Sequence, residues 1–369
     1  MTSQDIANQR LTNQQLGAGR FTRPQQLVSW MGCIRAADYS AAKWAIGARI
    51  GGLTDAEVEL AFNEGAILRT HILRPEWQFV SPEDIGWMLA LTAPPLRTLN
   101  REILHRLGIG EKLSRRCKRV MAGALEGGRA LTRSELSLVF KEHDLDLGEL
   151  RVDVLLTDAE LDGLICSGPR RGGRFSYMLL DERVPVLPRI DRETALAMLA
   201  QKFFASHGPA TVEDFLWWSG LRATDGKRSM EMIGRELSSL RVNGRLYWFA
   251  STPTASPGPG VSSGLRARSG PGARPGQVRL LPAFDEYTLA YQDKADILPA
   301  AYPRTGQNDI VSPVILWQGR VAGTWKSTQS AGKVRIDAMP AWLTDEMDPA
   351  ALRAAVQEYA RFLGKRWVE

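Results

Sequence analysis

Apolar positions in residues 191–250 change from helical to strand periodicity and outline one repeating unit. Apolar residues at helical spacing predict helices over residues 193–204, 211–219 and 227–237, and Thr211 opens the second of them as a capping residue. Residues 241–249 then alternate around an Asn-Gly turn, as the strands of a β-hairpin do. Three helices followed by a hairpin have the element order of a winged helix.

The same order of elements occurs twice upstream. The first repeat has predicted helices over residues 23–31, 41–47 and 54–62 and an extended stretch over residues 67–80. The second has predicted helices over residues 113–125, 132–143 and 158–164 and a Gly-rich wing tip over residues 167–177. The repeats predict tandem winged helices over residues 1–98, 99–187 and 188–250.

The composition changes after the third repeat. Residues 251–277 are rich in Gly, Pro and Ser, contain three arginines and no acidic residue, and predict a flexible basic linker. Residues 278–369 carry short β-type runs at 278–282, 311–317, 319–325 and 333–336 and a terminal helix at 349–364. We therefore expect an α+β fold in which three winged helices precede a small β-barrel-like domain.

Composition limits the chemistry that the chain can support. Its 369 residues are 44% hydrophobic, which is enough for several domain cores. The three cysteines are widely spaced and the four histidines lie in separate segments, so we expect no disulfide framework, metal site or His-based nucleophile system. The glycines lack the spacing of nucleotide-binding loops, and we expect no cofactor. The N-terminus lacks the apolar core of a signal peptide and no apolar run approaches the ~18 residues that cross a bilayer, so we expect a cytoplasmic protein.

The charge pattern favours a polyanionic partner. The net charge is +6 and the isoelectric point is about 9.3, with the strongest basic run in residues 97–119. A winged helix places its third helix at the major groove and its wing near the phosphates. Lys227 and Arg228 fall at the start of such a helix, and Arg170 and Arg171 fall at a wing tip. We expect a monomeric protein that binds double-stranded DNA and no membrane; a solvated surface or a protein-interaction module would produce the same pattern.

Three segments resemble one protein family. The sequence LLPAFDEY at residues 280–287, with YQDK at 291–294, is similar to an LLPxFDEYxLxYxDR signature. Residues 207–220 resemble an HGPATxxDFxxWSG segment, and residues 319–325 resemble a block near the end of the same fold. The family comprises bacterial winged-helix DNA-binding proteins that include the alkylpurine and crosslink-unhooking DNA glycosylases. The resemblance covers residues 16–342 and implies three winged helices and a β-barrel around duplex DNA, including alkylated DNA.

The catalytic motif of that family is altered in this chain. The family's chemistry is attributed to Gln-x-Gln, or to Gln-x-Asp in one branch, where a side-chain amide holds a water beside the anomeric carbon. The resemblance places Arg35 and Ala37 where these two residues stand. Alanine has no polar side-chain atom, and arginine is cationic and only donates hydrogen bonds. A local register shift would let Asp38 orient the water instead.

A neighbouring segment also departs from the family pattern. Residues 69–74 are similar to the family's RTxxxR run, which makes Arg69 and Arg74 candidate phosphate contacts. The Thr-x-His that follows in the family is Glu76-Trp77-Gln78 here. Gln78 is a second candidate catalytic residue because its amide can hydrogen-bond a base or a water. Glu76 places a negative charge near the expected path of the DNA.

Three functional hypotheses follow from these residues. The first is a DNA-binding protein of this fold that excises bases weakly or not at all. The second is an active DNA glycosylase that hydrolyses the N-glycosidic bond of alkylated purines with Asp38 or Gln78. The third is a winged-helix regulator or protein-interaction module. The candidate DNA-binding residues are Arg35, Arg69, Arg74, Arg115, Arg116, Arg119, Arg170, Arg171, Lys227 and Arg228.

Overall fold

The computed structural model describes residues 2–17, 19–185, 189–250, 277–302, 310–343 and 347–368. The predicted linker at 251–277 lies outside this range except for Gln277. Within the described residues the helices are α1 (Ser3–Asn13), α2 (Pro24–Met31), α3 (Tyr39–Gly47), α4 (Asp55–Glu64), α5 (Pro82–Arg106), α6 (Glu111–Leu125), α7 (Arg133–Glu142), α8 (Glu149–Leu161), α9 (Leu180–Arg183), α10 (Arg192–Ser206), α11 (Val212–Ser219), α12 (Ala223–Ile233), α13 (Glu286–Leu289) and α14 (Pro349–Phe362). The strands are β1 (Ile34–Arg35), β2 (Leu68–His71), β3 (Trp77–Val80), β4 (Leu131–Thr132), β5 (Ile165–Ser167), β6 (Ser176–Leu179), β7 (Leu237–Val242), β8 (Arg245–Ala250), β9 (Val278–Leu281), β10 (Val314–Trp317), β11 (Arg320–Ser330), β12 (Lys333–Pro340) and β13 (Arg366–Val368). This mixture confirms the predicted α+β class.

The chain divides into two compact units. Unit 1 comprises Met1–Ile34, Asp38–Val58 and Leu196–Glu369, and unit 2 comprises Arg35–Ala37 and Glu59–Ala195. The short segment Arg35–Ala37 therefore belongs to a different unit from the residues on either side of it.

A five-stranded sheet in the order β13-β12-β11-β10-β9 forms a curled half-barrel in unit 1. Beside it, Arg49 donates two hydrogen bonds to the carboxylate of Asp285, at 2.7 and 2.8 Å, with both side chains fully buried. The buried Tyr287 hydroxyl donates to the carbonyl oxygens of Ala7 and Gly319, at 3.1 and 2.8 Å. The segment LLPAFDEY, which carries the strongest family resemblance, thus joins α1, α3 and the sheet.

Helix α14 packs against α3 in the same unit. The Trp44 indole donates to the carbonyl oxygen of Leu280 at 2.9 Å, and its ring lies 4.9 Å from that of Tyr359 and 5.0 Å from that of Phe362. A Cβ atom on Gly47 would lie 2.5 Å from the Phe362 ring. The close approach of α3 and α14 therefore requires glycine at this position.

The third sequence repeat forms its predicted elements, which lie in unit 1 except for the first residues of α10. Thr211 and Asp214 make the capping box that opens α11, and Asn243 and Gly244 have the positive φ angles, 49° and 79°, of the tight turn between β7 and β8. Helix α12 begins four residues before the predicted helix and ends four residues before its predicted end, because residue 237 already belongs to strand β7.

In unit 2, helices α6, α7 and α8 enclose a core that includes Met121, Phe140 and Leu155. Helix α8 replaces the helix predicted at 158–164 and begins nine residues earlier, while Gly163, with a φ of 70°, follows its end. Within the described residues, no helix has both the length and the apolar character needed to cross a membrane.

Candidate functional site

The three-stranded sheet β1-β3-β2 brings Arg35 to Glu76 in unit 2. The Arg35 guanidinium donates a charge-assisted hydrogen bond from Nη2 to Glu76 Oε1. The backbone N–H of Ala36 donates to the carbonyl oxygen of Trp77 at 2.7 Å, which fixes the two segments side by side. The Arg35 side chain is 27% exposed and that of Glu76 is 35% exposed. The two opposite charges therefore compensate each other and stay accessible to solvent.

Three oxygen atoms of the β2–β3 hairpin have no hydrogen-bond partner among the described residues, and one of them belongs to the ion pair itself. Thr70 and Gln78 stand directly opposite each other in the antiparallel register of β2 and β3 and are 0% and 5% exposed. In the part of the chain that the structure describes, Thr70 Oγ1, Gln78 Oε1 and Glu76 Oε2 are buried and have no hydrogen-bond partner. Glu76 lies in the bend directly before β3, two residues from Gln78 along the chain.

Buried polar atoms without a partner are rare because desolvation costs free energy that a hydrogen bond normally offsets. A carboxylate oxygen and an amide oxygen only accept hydrogen bonds, whereas the Thr70 hydroxyl can donate or accept. A water molecule supplies two O–H donors and suits such a set. Each of these oxygen atoms can therefore accept a hydrogen bond from a water, and the Glu76 carboxylate, oriented by Arg35, can also accept a proton.

Arg69 supports this sheet from inside unit 2. It is 7% exposed, its Nε donates to the carbonyl oxygen of Ala36 at 2.9 Å, and its guanidinium lies 4.2 Å from the Trp77 ring and 4.4 Å from the Phe175 ring. Its backbone N–H donates to Ser167 Oγ at 2.8 Å. Arg69 thus holds the Arg35–Ala37 segment against the hairpin.

The neighbouring residues His71 and Arg74 differ in environment. His71 Nδ1 makes a short contact with the carboxylate of Glu160, and both side chains are buried. Since His71 follows Thr70 directly, it points to the opposite face of the sheet. Arg74 lies in the turn after β2 and is half-buried.

Asp38 is the helix-capping residue of α3 in unit 1. Its side chain accepts a hydrogen bond from the backbone N–H of Ala41 at 3.0 Å, and it is exposed. This contact accounts for an aspartate at this position without any catalytic role, because the first backbone N–H groups of a helix need hydrogen-bond acceptors. Ala37, directly before it, is exposed.

The predicted basic contacts of α6 lie on the surface of unit 2. Arg115 is 68% exposed and pairs with Glu111 at 3.1 Å, one helical turn away. The exposed Arg116 donates to the carbonyl oxygen of His143 at 2.6 Å, and Arg119 is also exposed. Such exposed pairs contribute little to stability, so their charges remain available to a ligand.

The predicted wing arginines are partly engaged within unit 2. Arg171 donates to both carboxylate oxygens of Glu135, each at 2.9 Å, and to the carbonyl oxygen of Ala130. The Arg170 guanidinium lies 4.6 Å from the Phe175 ring. In unit 1, Lys227 and Arg228 are exposed on α12.

Sequence reasoning missed two features of the site. It treated Glu76 as an isolated negative charge, whereas the residue is the ion-pair partner of Arg35. It also overlooked Thr70, although strand alternation across a predicted hairpin is a signal that could have paired Thr70 with Gln78.

Comparisons with known proteins place this geometry in context. A family model described as "DNA glycosylase AlkZ-like" matches residues 28–362. The solved structure of Streptomyces sahachiroi DNA glycosylase AlkZ is similar to this chain, with a TM-score of 0.74, 20% sequence identity and coverage of 100% of both chains. A search of curated protein sequences gave no match.

Proposed function

The chain belongs to the AlkZ-like DNA glycosylase family, and on that premise we propose that it binds duplex DNA and hydrolyses the N-glycosidic bond of alkylated purines with a rebuilt site. The recognition made from the sequence is thereby confirmed. The proposed site replaces the family's Gln-x-Gln by Glu76, Gln78 and Thr70. One observation carries the proposal: Arg35 holds Glu76 at one carboxylate oxygen, while the other oxygen is buried without a partner.

The proposed reaction needs a water, a carboxylate and no cofactor. A purine alkylated at N7 or N3 is cationic and leaves without prior protonation. The bond from C1′ of the deoxyribose to the base nitrogen breaks, and its electron pair leaves with the base, which becomes neutral. The water oxygen bonds to C1′, and one water proton passes to Glu76. The negative charge of the carboxylate also stabilises the positive charge that develops at C1′.

Arg35 has a positioning role in this proposal. Alone, its positive charge would disfavour an oxocarbenium-like centre. Paired with Glu76, it adds no net charge and fixes the carboxylate in one orientation. Gln78 Oε1 and Thr70 Oγ1 are the remaining candidate partners of the water.

Tandem winged helices are the proposed DNA-binding scaffold. Helices α2–α4 with β2 and β3, α6–α8 with β5 and β6, and α10–α12 with β7 and β8 each have the required element order. The proposed phosphate contacts are the exposed members of the basic set predicted from the sequence, which leaves out the buried Arg69 and the paired Arg35. They are Arg115, Arg116, Arg119, Arg171, Lys227 and Arg228.

A second candidate function is DNA binding without efficient base release. The observation in its favour is Ala37, which the resemblance aligns with the second glutamine and whose side chain cannot hold a water. Both candidate functions use the same DNA-binding scaffold. A measurement of base release distinguishes them.

That experiment measures base release from duplex DNA that carries N7- or N3-alkylated purines, with binding to the same duplex recorded in parallel. We expect release above the spontaneous rate and a decrease of about 100-fold or more in Glu76→Gln, the typical contribution of general acid–base catalysis. Asp38→Asn is the matched control, because asparagine caps a helix as well as aspartate does.

Each hypothesis predicts a different outcome of this experiment. Loss of release in Asp38→Asn but not in Glu76→Gln would assign the chemistry to Asp38. Binding without release by the wild-type protein would establish the second function. DNA binding that is absent or insensitive to salt would favour a protein-interaction module.

A further inference from the structure

Helix α8 has little free surface for DNA. In a winged helix formed by α6, α7 and α8, it would be the third helix, which normally meets the major groove. Its C-terminal half is buried, and α5 contacts it through Asn100, which donates to the carbonyl oxygen of Val154 at 3.4 Å. Its exposed N-terminal end carries Glu149 and Asp153, and Arg133 binds both carboxylates, at 3.2 and 2.8 Å. With the exposed Arg151, two guanidinium groups face two carboxylates, so this surface has no net positive charge to attract phosphates.

Helix α6 presents the opposite surface. Its exposed basic residues are Lys112, Arg115, Arg116 and Arg119. Their spacing of three, four and seven residues places them on one helical face. Glu111 is the acidic residue at the start of this face and pairs with Arg115. The first helix of this winged helix therefore presents a concentrated positive charge.

A groove between α6 and α7 continues this basic face. It has a volume of about 510 Å³, and its polar lining consists of Arg116, Arg119, Arg129, His143 and Glu142. Three guanidinium groups against one carboxylate give it a net positive charge. The groove lies entirely within unit 2.

Two of these arginines are held in place by helix ends. Arg116 donates to the carbonyl oxygen of His143 at 2.6 Å, and Arg129 donates to those of Gly123 and Glu126 at 2.8 and 2.9 Å. A guanidinium has five N–H donors, so each arginine keeps donors for a further acceptor. Arg119 forms no hydrogen bond or ion pair with the described residues. Fixed, multiply donating guanidinium groups suit the oxygen atoms of a phosphodiester.

We propose that the α6–α7 groove binds the phosphodiester backbone of duplex DNA, so that this winged helix docks through its first helix and not through α8. The inference rests on the DNA-binding part of the proposed function. It goes beyond that part because it assigns Arg129 and the groove to the interface and removes α8 from it.

Gly123 offers a direct test. It lies in the groove, it is exposed on α6, and a Cβ atom built on it meets nothing within 4 Å. Gly123→Glu therefore places a carboxylate in the groove without a clash, and glutamate is the better helix former. Gly86→Glu is the matched control, because Gly86 is likewise helical, exposed and free of neighbours within 4 Å.

The measurement is the affinity for duplex DNA over a range of salt concentrations, after thermal unfolding has confirmed that each variant is folded. We expect Gly123→Glu to weaken binding at least 10-fold and to lower the slope of log K against log salt by about 1 to 2, since each phosphate contact contributes about 0.9. Arg119→Gln should lower the slope by about 1 for the same reason. Gly86→Glu and Arg151→Gln, the latter on α8, should change affinity less than twofold.

The outcomes separate this inference from the proposed function. If the wild-type protein binds DNA and Gly123→Glu binds equally well, the groove is not part of the interface but the proposed function stands. A larger loss of DNA affinity in Arg151→Gln than in Gly123→Glu would indicate that α8 contacts the DNA. Failure of the wild-type protein to bind DNA would overturn both proposals.

Discussion

The Arg35–Glu76 pair permits a sharp test of whether the altered motif is functional. The perturbation is a double-mutant cycle of Arg35→Gln, Glu76→Gln and the double variant. Both substitutions remove a charge and keep a polar side chain; Glu76→Gln is isosteric, whereas Arg35→Gln also shortens the side chain. The cycle isolates the interaction between the two residues from their separate contacts.

The expected coupling follows from the exposure of the pair. The side chains are 27% and 35% exposed, between the fully exposed and the buried case. Exposed pairs contribute about 0.2–1 kcal/mol and hydrogen bonds to charged groups about 1.5–3 kcal/mol, so we expect a coupling of about 1–2 kcal/mol in the free energy of unfolding. For base release, we expect the rate of Glu76→Gln to be about 100-fold lower or more. We expect the rate of Arg35→Gln to be about 10-fold lower, because the Glu76 carboxylate is still present but is no longer held in one orientation.

Urea unfolding gives the stability of the four proteins. Because the chain has two compact units, hydrogen exchange at the β3 amides should accompany it and report on unit 2 alone. Single-turnover base release gives the rates. A coupling below about 0.3 kcal/mol, the usual limit of additivity, together with unchanged release in both single variants, would refute the role of the pair in the fold and in the chemistry.

Three further predictions concern unit 1. Arg49→Leu should destabilise the protein by about 3–5 kcal/mol in urea unfolding, because it leaves the buried Asp285 carboxylate unpaired; adding Asp285→Leu should recover part of this loss, and no recovery would contradict the assignment. Gly47→Ala should cost about 1–3 kcal/mol through its clash with Phe362, whereas Gly51→Ala, which meets nothing within 4 Å, should be nearly neutral; equal effects would contradict the packing argument. Burial lowers the pKa of His207, so the unfolded chain takes up its proton first as the pH falls, and stability should decrease below about pH 6.5. His207→Leu should lose this dependence, and an unchanged pH profile in the variant would contradict it.

The third repeat was predictable because its signals are local. The Thr211–Asp214 capping box and the Asn243-Gly244 turn each act within a few residues, and the structure contains both. Helix α8 was misplaced for the opposite reason. Long-range packing buries most of its C-terminal half, so its apolar residues surround the helix instead of following one stripe. The residues at which α8 begins and ends therefore depend on its packing against other elements.

The candidate site was only partly predictable from the sequence. The family resemblance directed attention to residues 35–38 and 69–78, and Gln78 was identified as a candidate residue. The contact between Arg35 and Glu76 spans 41 residues and forms only when β1 and β3 share a sheet. Without that contact, Arg35 was interpreted as an obstacle to the chemistry through its positive charge, and Glu76 as an obstacle to DNA binding through its negative charge.

The contacts that define the family resemblance are separate from those that would carry the chemistry. Arg49, Asp285 and Tyr287 are buried in unit 1 and stabilise its fold, whereas Arg35 and Glu76 lie in unit 2. The motif can therefore change while the scaffold persists. Simple loss of catalysis provides no reason for two departures from the family pattern to form a matched ion pair. The pair cancels its own charge and still leaves one carboxylate oxygen buried without a partner among the described residues, and this is the reason that we propose replacement of the site and not its decay.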